Sequence, residues 1–110
     1  MELSYKNKKL KDLLEDPVKL VRRYGNLSRK IDQRKEELKA ADTLEVMGRI
    51  PGARCHELTG DRKGCLAVNL SGNWRLIFMP DHDTVPLKED GGLDWRSVTK
   101  IKIIEIEDYH

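Results

Sequence analysis

The spacing of apolar residues predicts helices in the first half of the chain. Residues 2–5 are predicted to form a short strand, and residues 6–15 a helix with three leucines on one side. Asp16 and Pro17 form a helix-start signal, because proline fits the first helical turn. A second helix is therefore predicted over residues 18–24.

The longest predicted helix covers residues 27–41. Ile31 and Leu38 belong to a narrow apolar stripe, whereas the other faces carry almost only charged side chains. This helix should therefore pack by one edge. Asp42 is expected to cap a short helix over residues 43–47, because aspartate readily accepts hydrogen bonds from the first backbone amides of a helix.

The second half of the chain is predicted to be an antiparallel meander. A strand with strictly alternating apolar residues is clearest at residues 65–70. Four strands are expected in this half, over residues 53–58, 65–70, 74–79 and 98–107. A loop over residues 80–97 precedes the last strand and is longer than most connections.

Helices followed by an antiparallel meander are the α+β arrangement. A chain of 110 residues fits one domain, residues 1–110, with a helical part at about 6–48 and a β-meander at about 53–110. The core must be built from aliphatic side chains, because the chain is 36% charged and only 5% aromatic.

The net charge of +2 conceals an asymmetry along the chain. Residues 1–50 carry a net charge of +4 and residues 51–79 carry +2, whereas residues 80–110 carry −4. Clustered lysine and arginine side chains bind polyanions, so a nucleic acid is one expected partner of the basic residues 1–50. A solvated helical surface would explain the same charges.

Cysteine content and hydropathy exclude several classes of protein. No stretch approaches the roughly 20 apolar residues of a membrane span, and the first residues are too polar for a signal peptide. Cys55 and Cys65 are too few for a disulfide framework, so a cytoplasmic protein with free thiols and no membrane association is expected. The two cysteines and His56 match no zinc pattern, and no metal site is expected.

The meander is expected to bring together polar groups from distant parts of the sequence. They come from the first strand, its following turn, the third strand and the end of the last strand: His56, Arg62, Lys63, Arg75, Asp108, Tyr109 and His110. Such a set contains an acid, a base and fixed positive charge, which phosphoryl transfer requires. An ion pair from Arg75 to Glu105 or Glu107 is an equal alternative, because a charge in an apolar strand needs a partner.

The last strand is expected to carry an acid–base group to the edge of the sheet. The imidazole of His110 is that group, since histidine is the common proton donor and acceptor near neutral pH. Strict alternation would place His110 and Asp108 on the core side with Ile104 and Ile106. For His110 to reach a cleft, the strand must therefore bend or bulge.

Three segments of the sequence resemble a known family: HELTGDRKG at 56–64, GNWRLIF at 72–78 and EDYH at 107–110. In this order they resemble the HigB-type plasmid-maintenance killer toxins of the RelE/ParE superfamily. The resemblance covers about residues 53–79 and 98–110. The N-terminal helical part agrees with the family in the order and length of its elements rather than in its residues.

The resemblance implies a RelE-like α+β fold, with N-terminal helices packed on one face of a curved, mainly antiparallel β-sheet. It implies the toxin of a type II toxin–antitoxin system, a ribosome-dependent mRNA endoribonuclease that needs no metal and no cofactor. The RNA 2′-hydroxyl would attack the adjacent phosphate and leave a cyclic phosphate and a free 5′-hydroxyl. The expected partners are a HigA-like helix-turn-helix antitoxin, the ribosome and mRNA.

The resemblance also implies roles for individual residues. His56 corresponds to a histidine near the active site, and Arg75 is expected to hold the scissile phosphate. Asp108, Tyr109 and His110 correspond to the terminal active-site tripeptide, in which His110 is the best candidate for the acid–base group and the other two orient it or contact RNA. Further RNA contacts are expected from Arg62, Lys63 and Asn73.

Two departures from the family pattern bear on activity. Some members have a lysine where Thr59 stands and a basic residue where Ser71 stands. Arg62 or Lys63 could supply the missing charge from the turn; otherwise cleavage would be weaker or its nucleotide preference different. Two rival functions therefore stay open: a ParE-like toxin that inhibits DNA gyrase without cleaving RNA, and a catalytically impaired binding member.

Overall fold

The computed structural model describes residues 1–109 and has an α+β architecture, as predicted. One strand comes first, the α-helices follow, and the remaining strands complete this part of the chain. The elements are β1 (Glu2–Tyr5), α1 (Lys8–Glu15), α2 (Pro17–Tyr24), α3 (Ser28–Ala40), α4 (Leu44–Met47), β2 (His56–Glu57), β3 (Leu66–Asn69), β4 (Trp74–Pro80) and β5 (Lys100–Asp108).

The strands form one five-stranded sheet in the order β1-β5-β4-β3-β2. Strands β2 to β5 pair antiparallel, which confirms the predicted meander. Strand β1 instead pairs parallel with β5, from Glu2 beside Lys100 to Tyr5 beside Ile103. The residue pattern predicts β1 as a strand but not its partner, because hydrophobic alternation alone does not choose between neighbours.

Short polar side chains cap three of the helices. Asn7 caps α1 and Asp16 caps α2, each accepting a hydrogen bond from a backbone amide of the first turn. At α4 the expected Asp42 cap is wrong, because Thr43 takes that position and its hydroxyl accepts from the Val46 amide at 3.4 Å. Thr43 directly precedes the helix and has extended dihedrals, so its side chain faces the first turn.

Helix α3 packs by one face, as predicted, and this face buries two cations beside its apolar residues. Arg34 and Lys35 are only 4% and 5% exposed. Arg34 Nε donates to the Asn69 carbonyl at 2.8 Å, and Lys35 Nζ donates to the Leu14 carbonyl at 3.0 Å. Their aliphatic stems widen the packed face, while the charged ends satisfy carbonyls at the ends of β3 and α1.

The sheet separates two hydrophobic clusters. The main cluster lies between the helices and one face of the sheet, here called the helix face. Its largest fully buried members include Phe78, Leu14, Ile31, Leu38, Leu44, Met47, Leu76, Ile101 and Ile103. A smaller cluster of Leu58, Ala67 and Ile77 lies on the opposite face, here called the open face, beneath the connection between β2 and β3.

A β-bulge in β5 changes which residues share a face. The pairing of β4 with β5 shifts between Ile77 and Phe78, so that Ile104 is an extra residue in the ladder. Ile106 packs against the main cluster, whereas Ile104 packs against the smaller one. The expectation that Ile104 and Ile106 share the core side is therefore wrong.

The predicted strand over residues 53–58 is shorter in the structure. Only His56–Glu57 pairs with β3 as a ladder. Arg54 has a φ of 45°, a left-handed conformation that an extended ladder does not accommodate, and the preceding Ala53 carbonyl accepts from the Asn69 amide at 2.7 Å. The chain therefore crosses the end of β3 before it turns into β2.

The predicted long loop over residues 80–97 contains short ordered contacts. Leu87 and Leu93 form an isolated bridge. Trp95 packs against the main cluster, and its indole nitrogen donates to Glu57 Oε2 at 3.0 Å. The loop thereby folds back onto the rest of the domain.

Candidate functional site

The candidate site lies on the open face of the sheet. Arg75 pairs with Asn69 on one side and with Glu107 on the other, so the three residues form one row across β3, β4 and β5. Leu76 and Ile106, which belong to the next row, pack against the main cluster. Because successive side chains alternate between faces, Arg75 and Glu107 point away from the helices.

Arg75 is held on two sides. Its Nε and Nη2 atoms both donate to Glu107 Oε2, each at 2.8 Å. The guanidinium carbon also lies 4.5 Å from the centre of the Tyr109 ring, which is a cation–π contact. The side chain is 17% exposed. The ion pair considered from the sequence is thus formed, and the arginine beside it remains partly exposed to solvent.

Arg62 reaches the same carboxylate from the connection between β2 and β3. Its Nη2 donates to Glu107 Oε1 at 2.9 Å, and it also forms an ion pair with Glu105. The connection is closed by backbone bonds, since the Cys65 amide donates to the Arg62 carbonyl at 2.9 Å and the Leu58 amide donates to the Cys65 carbonyl at 2.9 Å. Arg62 is therefore placed over the sheet by a compact turn.

These four charged residues, Arg62, Arg75, Glu105 and Glu107, are called the arginine cluster below. Glu107 bridges the two guanidinium groups, whereas Glu105 contacts only Arg62. The two positive and two negative charges cancel within the cluster. An anion that binds here therefore meets oriented hydrogen-bond donors rather than a net positive charge.

The end of β5 lies beside the turn between β3 and β4. The Tyr109 amide donates to the Asn73 carbonyl at 3.2 Å, and the Tyr109 side chain is exposed. Asn73 is itself exposed at this turn. The structure thus brings Tyr109, Asn73 and Arg75 together. His110 follows Tyr109 in the sequence and lies outside the described residues.

Asp108 lies on the other side of the sheet from Arg75. It pairs with Trp74, which packs against the main cluster. Together with Arg23, Tyr24 and other residues it lines a groove on the helix face. The alternation of β5 therefore places two members of the expected tripeptide, Asp108 and Tyr109, on opposite faces.

His56 is on the open face but apart from Arg75. It pairs with Ala67, which in turn pairs with Ile77, so two ladder spacings, about 10 Å in total, separate His56 from β4. Its Nδ1 donates to the Arg54 carbonyl oxygen at 2.7 Å, because a carbonyl oxygen can only accept. The exposed Lys63 follows Arg62 on the nearby turn.

Glu105 and Glu107 belong to this site, although the sequence suggested them only as structural partners for Arg75. The sequence could have indicated them, because Glu105, Glu107 and Tyr109 are two residues apart and residues two apart on a strand share a face. The missing information was the bulge at Ile104, which turns this alternating set toward the open face.

Metal-binding groups, membrane-spanning helices and free thiols are the other features considered for residues 1–109 because each would indicate a different kind of function. This part of the chain holds no group of three or more histidine, cysteine, aspartate or glutamate side chains that could bind a metal ion, and none of its helices is long and apolar enough to cross a membrane. Cys55 and Cys65 are free and partly buried. Burial raises the pKa of the Cys55 thiol to about 12, so this cysteine is a poor nucleophile at neutral pH.

A second, basic surface lies between α1, α2 and β5, here called the basic groove. Its volume is about 700 Å³, and leucine and tyrosine side chains contribute apolar surface. Asp12 is its only acidic lining residue among those the structure describes. The cations that line it are Lys6, Lys9, Lys19, Arg22 and Arg23.

The fold resembles that of a solved toxin. The YoeB/ParE toxin from Agrobacterium tumefaciens matches over 100% of both chains with a TM-score of 0.59 and 14% sequence identity. The chain has a RelE/ParE-like fold. At this identity the likeness concerns the fold alone, and it does not single out the HigB type. Neither the protein-family models nor the curated proteins gave a match.

Proposed function

We propose that this protein is a HigB-like toxin of a type II toxin–antitoxin system and acts as a ribosome-dependent mRNA endoribonuclease. The observation that carries the proposal is Arg75, oriented by Glu107 and Tyr109 on the open face of a RelE/ParE-like sheet. An arginine held in this way suits a phosphate, because its planar fork matches phosphate oxygens.

The proposed chemistry is attack of an RNA 2′-hydroxyl on the adjacent phosphorus. The new O–P bond forms while the bond to the 5′-oxygen breaks, which gives a cyclic phosphate and a free 5′-hydroxyl. The 2′-hydroxyl must lose a proton, and the leaving 5′-oxygen must gain one, which a single imidazole can first accept and then return. We assign proton transfer to His110, with Arg75 stabilising the charge that develops on the phosphate and Tyr109 supporting Arg75.

The other expected residues take more distant roles in this proposal. His56 and Lys63 lie toward β2, and we propose that both contact RNA on that side of the scissile phosphate. Asn73 lies beside Tyr109, and we propose that it contacts a neighbouring nucleotide. Asp108 lies on the helix face, so we propose that it acts on the end of β5 rather than on the phosphate.

The proposed partners follow from the proposed class of protein. A helix-turn-helix antitoxin would neutralise the toxin, and the ribosome would present the mRNA. The basic groove supports a polyanionic partner, because its five cations face a single carboxylate among the described lining residues. We propose a cytoplasmic location, where these partners occur.

A second candidate is a toxin that inhibits DNA gyrase without cleaving RNA. It is favoured by the charge balance of the arginine cluster, in which Glu105 and Glu107 neutralise both arginines. The likeness to the solved YoeB/ParE toxin concerns the fold and does not decide between the two functions. A catalytically impaired member is a third candidate. Thr59 and Ser71 stand at positions where some members of the family that the sequence resembles carry a basic residue.

Mapping of new mRNA 5′ ends after brief induction in a bacterial host tests the proposal. We expect cuts within translated codons that disappear when translation is blocked. Arg75→Ala should reduce cleavage by a factor on the order of 10² or more, because an oriented charge donor to the transition state is lost. Arg49→Ala is the matched control, since Arg49 is an exposed arginine paired with Glu45 on α4.

The alternative outcomes identify the other candidates. Growth arrest with intact mRNA and induced DNA-damage signalling would replace the nuclease with the gyrase inhibitor. Absence of both arrest and cleavage would indicate the impaired binding member. Equal cleavage by the Arg75→Ala and Arg49→Ala variants would remove Arg75 from the proposed chemistry.

A further inference from the structure

We propose that Glu107 is a positioning residue, which sets the orientation of Arg75 for its reaction partner. The inference rests on the proposed function for its catalytic consequence, although the orientation itself can be measured without any activity. Glu107 is part of the terminal segment that resembles the family, but the resemblance assigns it no role.

The geometry of the guanidinium group carries the inference. Glu107 Oε2 accepts from Nε and Nη2 of Arg75, which lie along one edge of the planar group. The Tyr109 ring covers one face of the same group at 4.5 Å. One edge and one face are thereby occupied by the protein. Among the described residues, 1–109, the edge formed by Nη1 and Nη2 is the one left for a phosphate, which can bind such an edge with two parallel hydrogen bonds.

Glu107 is in turn held by Arg62. The second carboxylate oxygen, Oε1, accepts from Arg62 Nη2 at 2.9 Å. A carboxylate with a charged donor on each oxygen has little freedom to rotate, so it transmits a fixed position to Arg75. The turn between β2 and β3 therefore supports the orientation of a side chain on β4 through a glutamate on β5.

Glu105 provides a matched control within the same cluster. It carries the same carboxylate, two residues away on the same face of β5, and it contacts Arg62 but not Arg75. Removing either carboxylate changes the local charge by the same amount. Only removal of Glu107 takes away the hydrogen bonds to Nε and Nη2 of Arg75.

The orientation can be measured by NMR on the ¹⁵N-labelled protein. We expect a protected Nε–Hε signal for Arg75, identified by its loss in Arg75→Lys. The signal should be lost or exchange rapidly in Glu107→Ala, be partly retained in Glu107→Gln, which keeps one acceptor oxygen, and be unchanged in Glu105→Gln. Backbone spectra of each variant report whether it is folded. An unaltered Arg75 signal in folded Glu107→Ala would overturn the proposal.

The catalytic consequence is measured on translating ribosomes with purified protein. Glu107→Ala should lower kcat by about 10- to 100-fold, because misplacing one catalytic group has effects of that size, while KM does not rise. In the Arg75→Ala background, the same substitution should have no further effect. A second loss in that background would show that Glu107 acts on the RNA itself and would overturn the positioning role.

The two measurements keep the proposals distinguishable. If the wild-type protein cleaves no RNA but Arg75 loses its protected signal in Glu107→Ala, the endoribonuclease proposal fails and the positioning role stands. If the wild-type protein cleaves RNA and Glu107→Ala leaves both the signal and kcat unchanged, the endoribonuclease proposal stands and the positioning role fails.

Discussion

At the scale of single residues, this protein repeatedly uses long charged side chains to hold distant segments together. Lys35 on α3 donates to the carbonyl of Leu14 on α1, and Arg62 joins a turn to the last strand. Each cation lies against apolar or backbone groups and keeps its charge paired, which is the arrangement that makes partial burial of a charge tolerable. The same arrangement at Arg75 keeps a cation oriented at the surface.

The contact between Tyr5 and Glu15 gives a prediction for acid stability. The Tyr5 hydroxyl donates to Glu15 Oε1 at 2.7 Å, and this hydrogen bond, opposed by burial and aided by Lys35 and Lys39, lowers the pKa of Glu15 below its ordinary value of 4.5. A lowered pKa means that the contribution to stability is present above the ordinary value and is lost as the pH falls through the value in the folded protein.

We therefore expect Tyr5→Phe to lower the free energy of unfolding at pH 7 by at most about 1 kcal/mol, since Glu15 is partly exposed to solvent. The difference from the wild type should shrink as the pH is lowered below 4.5. Urea unfolding at pH 7 and pH 3 measures both values. Tyr24→Phe, which removes a hydroxyl from an aromatic residue packed on Trp74, is the control. A difference that stays constant with pH would contradict the assignment.

At the scale of elements, local signals decide where the helices begin. Asp16 Oδ1 accepts from the Val18 amide at 2.9 Å and from the Lys19 amide at 3.3 Å, and Pro17 occupies the first helical position. Both residues act through their immediate neighbours, and for this reason the start of α2 could be predicted. At α4 two polar residues compete for the cap, and their order along the chain does not show which one takes the extended conformation.

Asp16→Ala tests the contribution of this cap. We expect a loss of about 1 kcal/mol in the free energy of unfolding, because two amides of the first turn lose their acceptor. For a domain of this size the melting temperature should fall by about 4–8 °C. Asp12→Ala, at an exposed position within α1, should change stability by no more than about 0.5 kcal/mol. Equal melting temperatures for the two variants would show that the cap is unimportant.

At the scale of the whole molecule, charge is divided between two surfaces. The arginine cluster on the open face is balanced by its own carboxylates, whereas the basic groove beside α1 and α2 is lined by five cations and one described carboxylate. The positive charge of residues 1–50 is thus concentrated at a groove and not only spread over a solvated surface. We therefore expect long-range attraction of a polyanion to act through the groove.

Charge reversal in the basic groove tests this expectation. The double variant Lys19→Glu with Arg22→Glu should bind ribosomes more weakly in co-sedimentation. The slope of log affinity against log salt should fall by about one to two, because each phosphate contact contributes about 0.7 to 0.9 to that slope. Lys88→Glu with Lys100→Glu makes the same change of charge away from the groove. Equal loss of binding in both variants would indicate only a general effect of net charge.

The sequence by itself determined the order and type of most elements. The apolar spacing of α1 and α3, the Asp16 cap and the alternation in β3 depend on residues within one or two turns of each other, so they could be recognised without any partner. The motif around Arg75 and Tyr109 also indicated the candidate site, because the resemblance to a family joins segments that are far apart in the chain.

The tertiary structure alone decided which face each group of the site occupies. The register of β4 and β5 shifts at Ile104, and this shift turns Glu107 and Tyr109 toward Arg75 on the open face and Asp108 toward the helix face. Likewise, Arg62 meets Glu107 across 45 residues of sequence, a contact that only the folded turn over the sheet creates. The register between two strands depends on both of them, so it cannot be predicted from the spacing of apolar residues within either strand.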